Sequence, residues 1–284
     1  MRTIRTVPEL RAHLTRVEGR VGLVPTMGAF HAGHESLIRA ARADTDHVVV
    51  SLFVNPAQFN DPRDLEAYPR DERADASIAQ ELGADVLFAP APETVYPDGF
   101  ATTVRVAGLS DVLEGAQRGP GHFAGVCTVV AKLFNMVRPD VAYFGQKDAQ
   151  QVAVLRRMVE DLDFPLALEV CPTVREPDGL ALSSRNVRLS PGERAKAAGL
   201  PQALRVAAEG GVEAGLAVLR EYGIEPEYLA LVDPDTFEAP GPLAVVAATV
   251  GTTRLIDNVL IERAATPERR GADPKGAVSV LPTP

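Results

Sequence analysis

The sequence predicts an α/β protein, with a Rossmann-like, doubly wound parallel sheet followed by a smaller α+β domain. Short apolar runs alternate with helical segments up to Pro172, which is typical of strand–helix–strand units. The run 47–54, HVVVSLFV, is apolar almost throughout, as in strands buried on both faces of a parallel sheet. A chain of 284 residues is long enough for two domains. We place the boundary at Pro172, which gives domains 1–172 and 173–284.

The predicted strands are short apolar runs: 21–24, 47–54, 85–89, 102–106, 141–144, 166–170, 243–250 and 254–261. The predicted helices have apolar residues at helical spacing: 7–14, 35–42, 70–82, 126–136 and 150–161. Pro25 is expected to end the first of these strands.

The segment 24–34, VPTMGAFHAGH, lies where that strand passes into a helix. Gly28 and Gly33 allow the backbone to approach a ligand closely, and a helix N-terminus favours phosphate. His31 and His34 are three residues apart and can face the same ligand. Each could instead be a capping or solvated residue, and the pair could be half of a metal site, although no Cys/His cluster completes one.

Composition narrows the class of protein. A formal net charge of −9 argues against a nucleic-acid surface, but not against a nucleotide in a locally basic pocket. No apolar run approaches the length of a membrane span, and the N-terminal residues do not resemble a secretory signal, so we expect a cytoplasmic protein. Cys127 and Cys171 are expected to be buried thiols and not a disulfide.

Three polar clusters follow apolar runs or predicted strands. The turn 55–59, NPAQF, lies at the carboxyl end of a predicted strand, where ligands of open α/β sheets bind. The cluster 145–148, GQKD, offers Lys147 to a phosphate, and 183–185, SSR, offers a further cation. Taken singly, Lys147 and the run at 183–185 are more often a surface charge or a helix cap. The prediction of a nucleotide site therefore depends on their combination with the HxGH motif at residues 31–34.

That combination resembles the HxGH nucleotidyltransferase superfamily, and longer motifs resemble the pantoate–β-alanine ligase (pantothenate synthetase) family. The motifs cover nearly the whole chain in order: 24–34, 53–59, 121–126, 143–148, 174–186 and 253–258. The resemblance implies ATP-dependent joining of pantoate and β-alanine through a pantoyl-adenylate, with release of pyrophosphate and then AMP and with Mg²⁺ present. It also implies a homodimer in which the second domain acts as a lid.

The resemblance also implies roles for individual residues. His34 stands in the family's proton-donor position, and Gln58 and Gln151 match the residues that hold pantoate. The ATP-binding positions are Met27, Gly28, Ala29, Phe30, His31, Ala32, Gly33, His34, Gly145, Gln146, Lys147, Asp148, Val174, Leu182, Ser183, Ser184 and Arg185.

The chemistry of the adenylation step indicates what the charged residues among these positions do. Pantoate's carboxylate is ionised at neutral pH, so adenylation needs no general base. The difficulty is repulsion between that anion and the triphosphate, which His31, His34, Lys147, Arg185 and Mg²⁺ can offset. Asp75 is a candidate Mg²⁺ ligand, and the alternative is an exposed helix carboxylate.

The chain departs from the family pattern at three places. Gly119 is an extra residue in a basic turn and should loosen a loop that flanks the site, near Glu114 and His122. Ala149 replaces an aromatic residue and should leave a small gap, and Gln146 replaces a glutamate.

Two alternatives stay open at this point. A different adenylyl or cytidylyl transferase would share the nucleotide site, but Gln58 and Gln151 address an acid substrate. A nucleotide-binding regulatory protein without catalysis is disfavoured by His34, Lys147 and Arg185. A purely structural or interaction protein has no positive feature behind it.

Overall fold

The structure, a computed structural model, describes residues 1–60, 62–119 and 121–261, without the side chain of Asp64. Pro120 of the basic turn and residues 262–284 of the predicted second domain lie outside the described residues. The first sheet has the strands β1 (Arg2–Ile4), β2 (Val21–Thr26), β3 (His47–Leu52), β4 (Val86–Phe88), β5 (Val141–Gly145) and β6 (Ala167–Cys171). Its order is β1-β4-β3-β2-β5-β6, and all its pairings are parallel.

Helices cover both faces of this sheet, which confirms the doubly wound fold. The helices of this part of the chain are α1 (Val7–Leu14), α2 (Ala32–Asp44), α3 (Pro62–Glu66), α4 (Glu72–Glu81), α5 (Pro92–Val95), α6 (Glu114–Arg118), α7 (Gly121–Val137) and α8 (Ala149–Asp161). Side chains of β3 alternate between two cores: Val49 packs in the core with α1, α7 and α8, whereas Val48 and Val50 pack in the core with α2 and α4. The apolar run at 47–54 is therefore explained by burial on both faces.

The strand order reverses between β2 and β5, because the chain builds outward through β3 and β4 before it returns to the other side of β2. Ligands of doubly wound sheets bind at the carboxyl ends of the strands beside such a reversal. The loop after β2 carries His31, and the turn after β5, a 3₁₀ helix over Gln146–Asp148, carries Lys147. The topology thus brings together two motifs that lie more than a hundred residues apart in sequence.

A smaller antiparallel sheet follows, with the order β7 (Pro226–Val232), β8 (Leu243–Val250) and β9 (Thr253–Leu260). One of its faces packs on α9 (Pro191–Ala197), α10 (Gly199–Gly210) and α11 (Val212–Glu221). The other face packs on α8: Leu243 and Val245 share a core cluster with Ala149 and Ala153. Because side chains alternate between the two faces of β8, this strand packs on α9 to α11 with one face and on α8 with the other. The second sheet is thereby packed against the first part of the chain.

Two local predictions are wrong, and two strands were not predicted. Residues 102–106 form no strand, and the amide of Val104 donates instead to Thr128 Oγ1 at 3.0 Å. The strands β1 and β7 were not predicted. Pro25 lies inside β2 and does not end it, because Thr26 turns its carbonyl toward β3 to accept from Phe53, so Pro25 faces the side where pairing with β5 has stopped at Leu23.

Gly125 sets the distance between α7 and the turn at residues 56–58. A Cβ atom at this position would lie 2.3 Å from the carbonyl oxygen of Ala57 and 2.8 Å from the amide nitrogen of Gln58. Both obstacles are backbone atoms, which cannot rotate away. Glycine is therefore required here by close packing and not by its backbone torsions.

We expect Gly125→Ala to lower the free energy of unfolding by about 1–3 kcal/mol, since the turn must move away from α7. Urea denaturation measures this change. Gly192→Ala in α9 is the matched control: its Cβ would meet no atom within 4 Å, so stability should stay equal or rise by up to about 1 kcal/mol. Equal stabilities of Gly125→Ala and the wild type would contradict the packing argument.

Candidate active site

A pocket of about 790 Å³ opens at the carboxyl ends of β2 and β5 and extends to the antiparallel sheet. The loop after β2, the turn after β3 and the turn after β5 form its floor. Residues 182–188 and the strand β9 form its other side. Both sheets therefore contribute walls, and the pocket is complete only because they pack together.

The loop after β2 holds an unusual backbone shape. Gly28 has φ +90° and Ala29 has φ +55°, a region that non-glycine residues seldom adopt. His31 then caps α2, with its Nδ1 accepting a hydrogen bond from the amide of Gly33 at 3.1 Å. With Nδ1 accepting, the proton of the neutral His31 ring lies on Nε2.

His31 and His34 pack ring against ring, with centroids 4.2 Å apart, and both line the pocket. Burial, followed by the neighbouring His31, lowers the pKa of His34 to about 3, and burial followed by Lys147 lowers the pKa of His31. His34 is therefore neutral at physiological pH. Its Nδ1 is buried without a hydrogen-bond partner among the described residues.

Asp75 lies in the first turn of α4, behind the loop that precedes His31. It is 3% exposed, so the expected alternative of an exposed helix carboxylate is wrong. Its Oδ2 accepts from the amide of Ala29 at 3.0 Å, and its Oδ1 accepts from the amide of Phe30 at 2.8 Å. Asp75 is not among the residues that line the pocket.

These contacts decide how well Mg²⁺ fits at Asp75. Both carboxylate oxygens already accept from backbone amides, and the side chain does not face the pocket. Within residues 1–60, 62–119 and 121–261, no three histidine, cysteine or acidic side chains form a potential metal site. The described residues therefore do not fit a protein-held Mg²⁺ at Asp75.

The turn after β3 presents Gln58 to the pocket in a fixed orientation. Asn55 Nδ2 donates to Gln58 Oε1 at 3.0 Å and to the carbonyl of Gly125 at 3.1 Å. Asn55 Oδ1 in turn accepts from the Tyr96 hydroxyl at 2.7 Å. Because its oxygen is engaged by Asn55, Gln58 offers its amide nitrogen as a donor to a ligand.

Five cations line the pocket: Lys147, Arg185, Arg188, Arg118 and Arg254. Burial lowers the pKa of Arg185, and the nearby charge of Arg118 adds to this effect. The Lys147 Nζ lies 3.6 Å from Asp148 Oδ1, which is half-exposed. The pocket is thus locally basic although the chain carries a net charge of −9.

Asn258 from β9 fixes the turn that carries Lys147. Its Nδ2 donates to the carbonyls of Gln146 and Lys147, each at 2.9 Å, and its Oδ1 accepts from Gln146 Nε2 at 3.2 Å. The neutral amide of Gln146, which departs from the family's glutamate, thus makes a contact between the two sheets. Asn258 is 4% exposed, so these bonds are shielded from water.

Glu114 forms a second contact between the two parts of the chain. It accepts from Arg254 Nη1 at 2.9 Å and from the Tyr228 hydroxyl at 2.8 Å, and Arg118 Nε lies 3.5 Å away. Burial by itself would raise the pKa of Glu114, but the hydrogen bonds and charge of Arg254 outweigh it, so the pKa is lowered. Glu114 therefore neutralises cations that face the pocket.

The structure brings together many of the sequence-predicted residues. Those that line the pocket are Met27, His31, His34, Gln58, Gly145, Lys147, Asp148, Gln151, Leu182, Ser183, Ser184 and Arg185, with Glu114 and His122. Those that lie outside its lining are Gly28, Ala29, Phe30, Ala32, Gly33, Asp75, Gln146 and Val174. Val174 supports the lining indirectly, since its carbonyl accepts from the amide of Leu182 at 2.9 Å.

Sequence reasoning missed several residues of the pocket. Arg254 and Asn258 lie in the motif at 253–258, but neither was assigned a role. Arg118 was seen only as part of the basic turn. No sequence signal pointed to Tyr228, because its role comes from tertiary packing against α6.

The structure also shows how Ala149 and Gly119, the other two departures from the family pattern, are accommodated. Ala149 is 8% exposed and packs with Phe237 and Val245, so the antiparallel sheet covers the place where a gap was expected. Gly119 has φ +81° and follows the last residue of α6, a conformation that glycine adopts without strain. Cys127 and Cys171 are free and buried, as predicted.

A doubly wound sheet with a basic, histidine-bearing pocket at its reversal point defines an α/β enzyme that acts on a phosphorylated ligand. A profile of the pantoate–beta-alanine ligases matches residues 2–260. The chain therefore belongs to the pantoate–beta-alanine ligase family.

Similar proteins agree with this assignment. The chain is 50% identical over 283 residues to the pantothenate synthetase of Koribacter versatilis, covering 93% of this chain and 97% of that protein. It is 53% identical over 275 residues to that of Cereibacter sphaeroides, covering 90% and 98%.

Two solved structures are also similar. The pantothenate synthetase of Thermus thermophilus has a TM-score of 0.87 and 49% identity, covering 92% of this chain and 99% of that chain. The pantoate–beta-alanine ligase of Francisella tularensis, solved with β-γ ATP and β-alanine, has a TM-score of 0.82 and 36% identity, covering 93% and 98%. None of the helices in the described part of this chain is long and apolar enough to cross a membrane.

The low pKa of His34 gives a direct prediction. In a proton NMR titration, the His34 ring should stay neutral from pH 8 to pH 5, because its pKa of about 3 lies far below the ordinary 6.5. In the unfolded chain the His34 ring binds a proton near pH 6.5, whereas in the folded chain it stays neutral until about pH 3. His34 should therefore lower the free energy of unfolding as the pH falls from 6.5 toward 3. His34→Gln assigns the resonance, and a titration midpoint near 6.5 would contradict the burial argument.

The Glu114 contact gives a second prediction. Glu114→Gln should lower the free energy of unfolding by about 2 kcal/mol, because Arg254 and Arg118 lose a charged acceptor. Glu227→Gln is the control: Glu227 also accepts from Arg254, at 2.7 Å, but is more exposed, so its loss should cost at most about 1 kcal/mol.

The same contact should depend on pH. Since the pKa of Glu114 is lowered, its stabilisation is complete above about pH 4.5 and is lost as the pH falls below that value. Thermal unfolding at pH 7 and at pH 3 measures this loss. Glu114→Gln should be less sensitive to acid than the wild type, and equal sensitivity would contradict the assignment.

Proposed function

We propose that this chain joins pantoate to β-alanine in an ATP-dependent reaction that passes through a pantoyl-adenylate. The observation that carries the proposal is the two-sided pocket, which combines neutral imidazoles and five cations with the amide of Gln58. One side suits a polyphosphate, and the other suits a small hydroxy acid. Family membership supports the same reaction.

In the first step, a carboxylate oxygen of pantoate attacks the α-phosphorus of ATP, and the bond to the bridging oxygen breaks to release pyrophosphate. Lys147, Arg185 and Arg118 offset repulsion between the two anions and stabilise charge that builds on the leaving pyrophosphate. His34 is neutral, so it acts as a hydrogen-bond donor to a phosphoryl oxygen and not as a charged acid.

Pantoate occupies the side of the pocket formed by the turn after β3. Gln58 donates its amide N–H to the carboxylate or a hydroxyl, and Gln151 at the start of α8 addresses the other polar groups. Neutral amides orient the carboxylate without the tight ion pair that would reduce its nucleophilicity. Val126, Val129 and Val130 form an apolar wall that suits pantoate's dimethyl carbon.

In the second step, the neutral amine of β-alanine attacks the acyl carbon, and AMP leaves with the bridging oxygen. The amine must then lose a proton. None of the described residues is a convincing dedicated base, so we propose that solvent or a phosphate oxygen of the adenylate accepts it.

Four further points belong to the proposal. Mg²⁺ enters with ATP as part of the MgATP substrate, which suits an ion that keeps its waters and phosphate ligands. Residues 173–284 act as a lid over residues 1–172. The protein is a homodimer, and it is cytoplasmic.

The whole reaction tests the proposal. With ATP, pantoate and β-alanine together, the chain should form pantothenate, AMP and pyrophosphate in a 1:1:1 ratio, and omission of any substrate should abolish all three. Replacing pantoate by lactate or another small hydroxy acid should also abolish turnover. Turnover with another acid would favour a different adenylyl transferase, whereas ATP binding without turnover would favour a regulatory protein.

Lys147→Ala should lower kcat/KM by about 10²–10³-fold, because a preorganised cation at the phosphates is lost. Lys196→Ala, an exposed lysine of α9, removes the same charge outside the pocket and should have wild-type activity. Initial rates of AMP formation give both values. Equal activities of the two variants would contradict the role of Lys147.

A further inference from the structure

We infer that Asp75 is a positioning residue, which holds the loop before His31 in its strained shape, and that it does not bind Mg²⁺. The inference rests on the proposed function of the pocket for its effect on catalysis. It rests on geometry alone for its effect on the loop.

The contacts of Asp75 engage both of its carboxylate oxygens on the side of the loop away from the pocket. The two carboxylate oxygens accept from two successive amides, those of Ala29 and Phe30, at 3.0 and 2.8 Å. Charged acceptors make stronger hydrogen bonds than neutral ones, and burial strengthens them further. A metal ion bound to these oxygens would compete with both amides for the negative charge of the carboxylate, and it would lie outside the lining of the pocket.

The loop needs such an anchor because its backbone is costly to hold. Ala29 has φ +55°, which an alanine adopts only when its surroundings require it. Gly28 must approach Asp75 closely: a Cβ there would lie 2.9 Å from Asp75 Oδ2 and 2.8 Å from Leu52 Cδ1. Asp75 and Leu52 therefore set the path of the chain from two sides.

This path decides where the two imidazoles lie. Phe30, whose amide Asp75 holds, packs its ring 5.4 Å from the His34 ring, and the next residue, His31, caps α2. A shift at Phe30 would move both rings relative to Lys147. Small misplacements of groups around a reacting centre cost large factors in rate.

The same contacts change the interpretation of the glycine-rich loop. Two amides that a phosphate could have used are already engaged by a carboxylate on the side of the loop away from the pocket. The loop is thus expected to bind the phosphates through the histidines that it positions, and not through the amides of Ala29 and Phe30.

Asp75→Asn tests the inference, since it keeps the shape of the side chain but replaces one acceptor by an N–H group that faces a backbone N–H. Hydrogen exchange at Ala29 and Phe30 should become at least tenfold faster. The kcat for pantoate-dependent AMP formation should fall about 10- to 100-fold, and the Mg²⁺ concentration for half-maximal rate should change less than twofold.

Glu72→Gln is the matched control, because it removes the same charge from the same turn of α4 at an exposed position that contacts Arg5. It should leave hydrogen exchange in the loop, kcat and the Mg²⁺ requirement at wild-type values. Circular dichroism and thermal unfolding establish that each variant is folded at the assay temperature.

If Asp75→Asn fails to fold, Asp75→Glu gives the same test, because glutamate keeps a carboxylate that can bind Mg²⁺ but is one methylene too long for both amides. A fall in kcat with an unchanged Mg²⁺ requirement would support positioning. Recovery of kcat at high Mg²⁺, or unchanged hydrogen exchange at Ala29 and Phe30, would overturn it. A wild-type chain that forms no AMP with pantoate would refute the proposed function instead, while the exchange result still tests the loop.

Discussion

Two imidazole rings can lie 4.2 Å apart at the start of one helix only if they do not both carry a charge. Burial satisfies this condition by lowering the pKa of each ring, and the next largest effect is the charge of Lys147 for His31 and the neighbouring His31 for His34. The site thus keeps its fixed positive charge on lysine and arginine and keeps neutral hydrogen-bond donors where the α-phosphate is expected. The loop after β2, which carries His31 and leads into the helix of His34, sets this separation.

The pocket also depends on contacts between the two sheets. Asn258 holds the turn of Lys147 by its carbonyls, and Glu114 holds Arg254 and Tyr228. Each contact pairs a buried polar group with several partners, which favours one specific arrangement. Removal of a single partner would leave buried polar atoms unpaired and would therefore cost stability. Pocket contacts and fold contacts are therefore separate: Lys147 lines the pocket with its side chain, while Asn258 holds its backbone carbonyl.

Much of this could be predicted from the sequence, because it depends on local pattern. Apolar runs and helical periodicity gave the parallel sheet, and its reversal point explains why distant motifs such as HxGH and GQKD meet. The strand at 102–106 was wrong, since Thr128 supplies the hydrogen bond that a neighbouring strand would have supplied. Asp75 could not be understood from sequence, because its partners are backbone amides about 45 residues away, and backbone amides leave no trace in a residue pattern.

In the proposed mechanism, the two sides of one pocket bring a carboxylate to the α-phosphate of ATP before the amine is needed. Exchange of labelled pyrophosphate into ATP, with pantoate present and β-alanine withheld, tests this most directly. The account predicts exchange that requires pantoate and stops when pantoate is omitted. An absence of exchange in a chain that nevertheless makes pantothenate when β-alanine is added would contradict a freely reversible adenylate and require a concerted use of all three substrates.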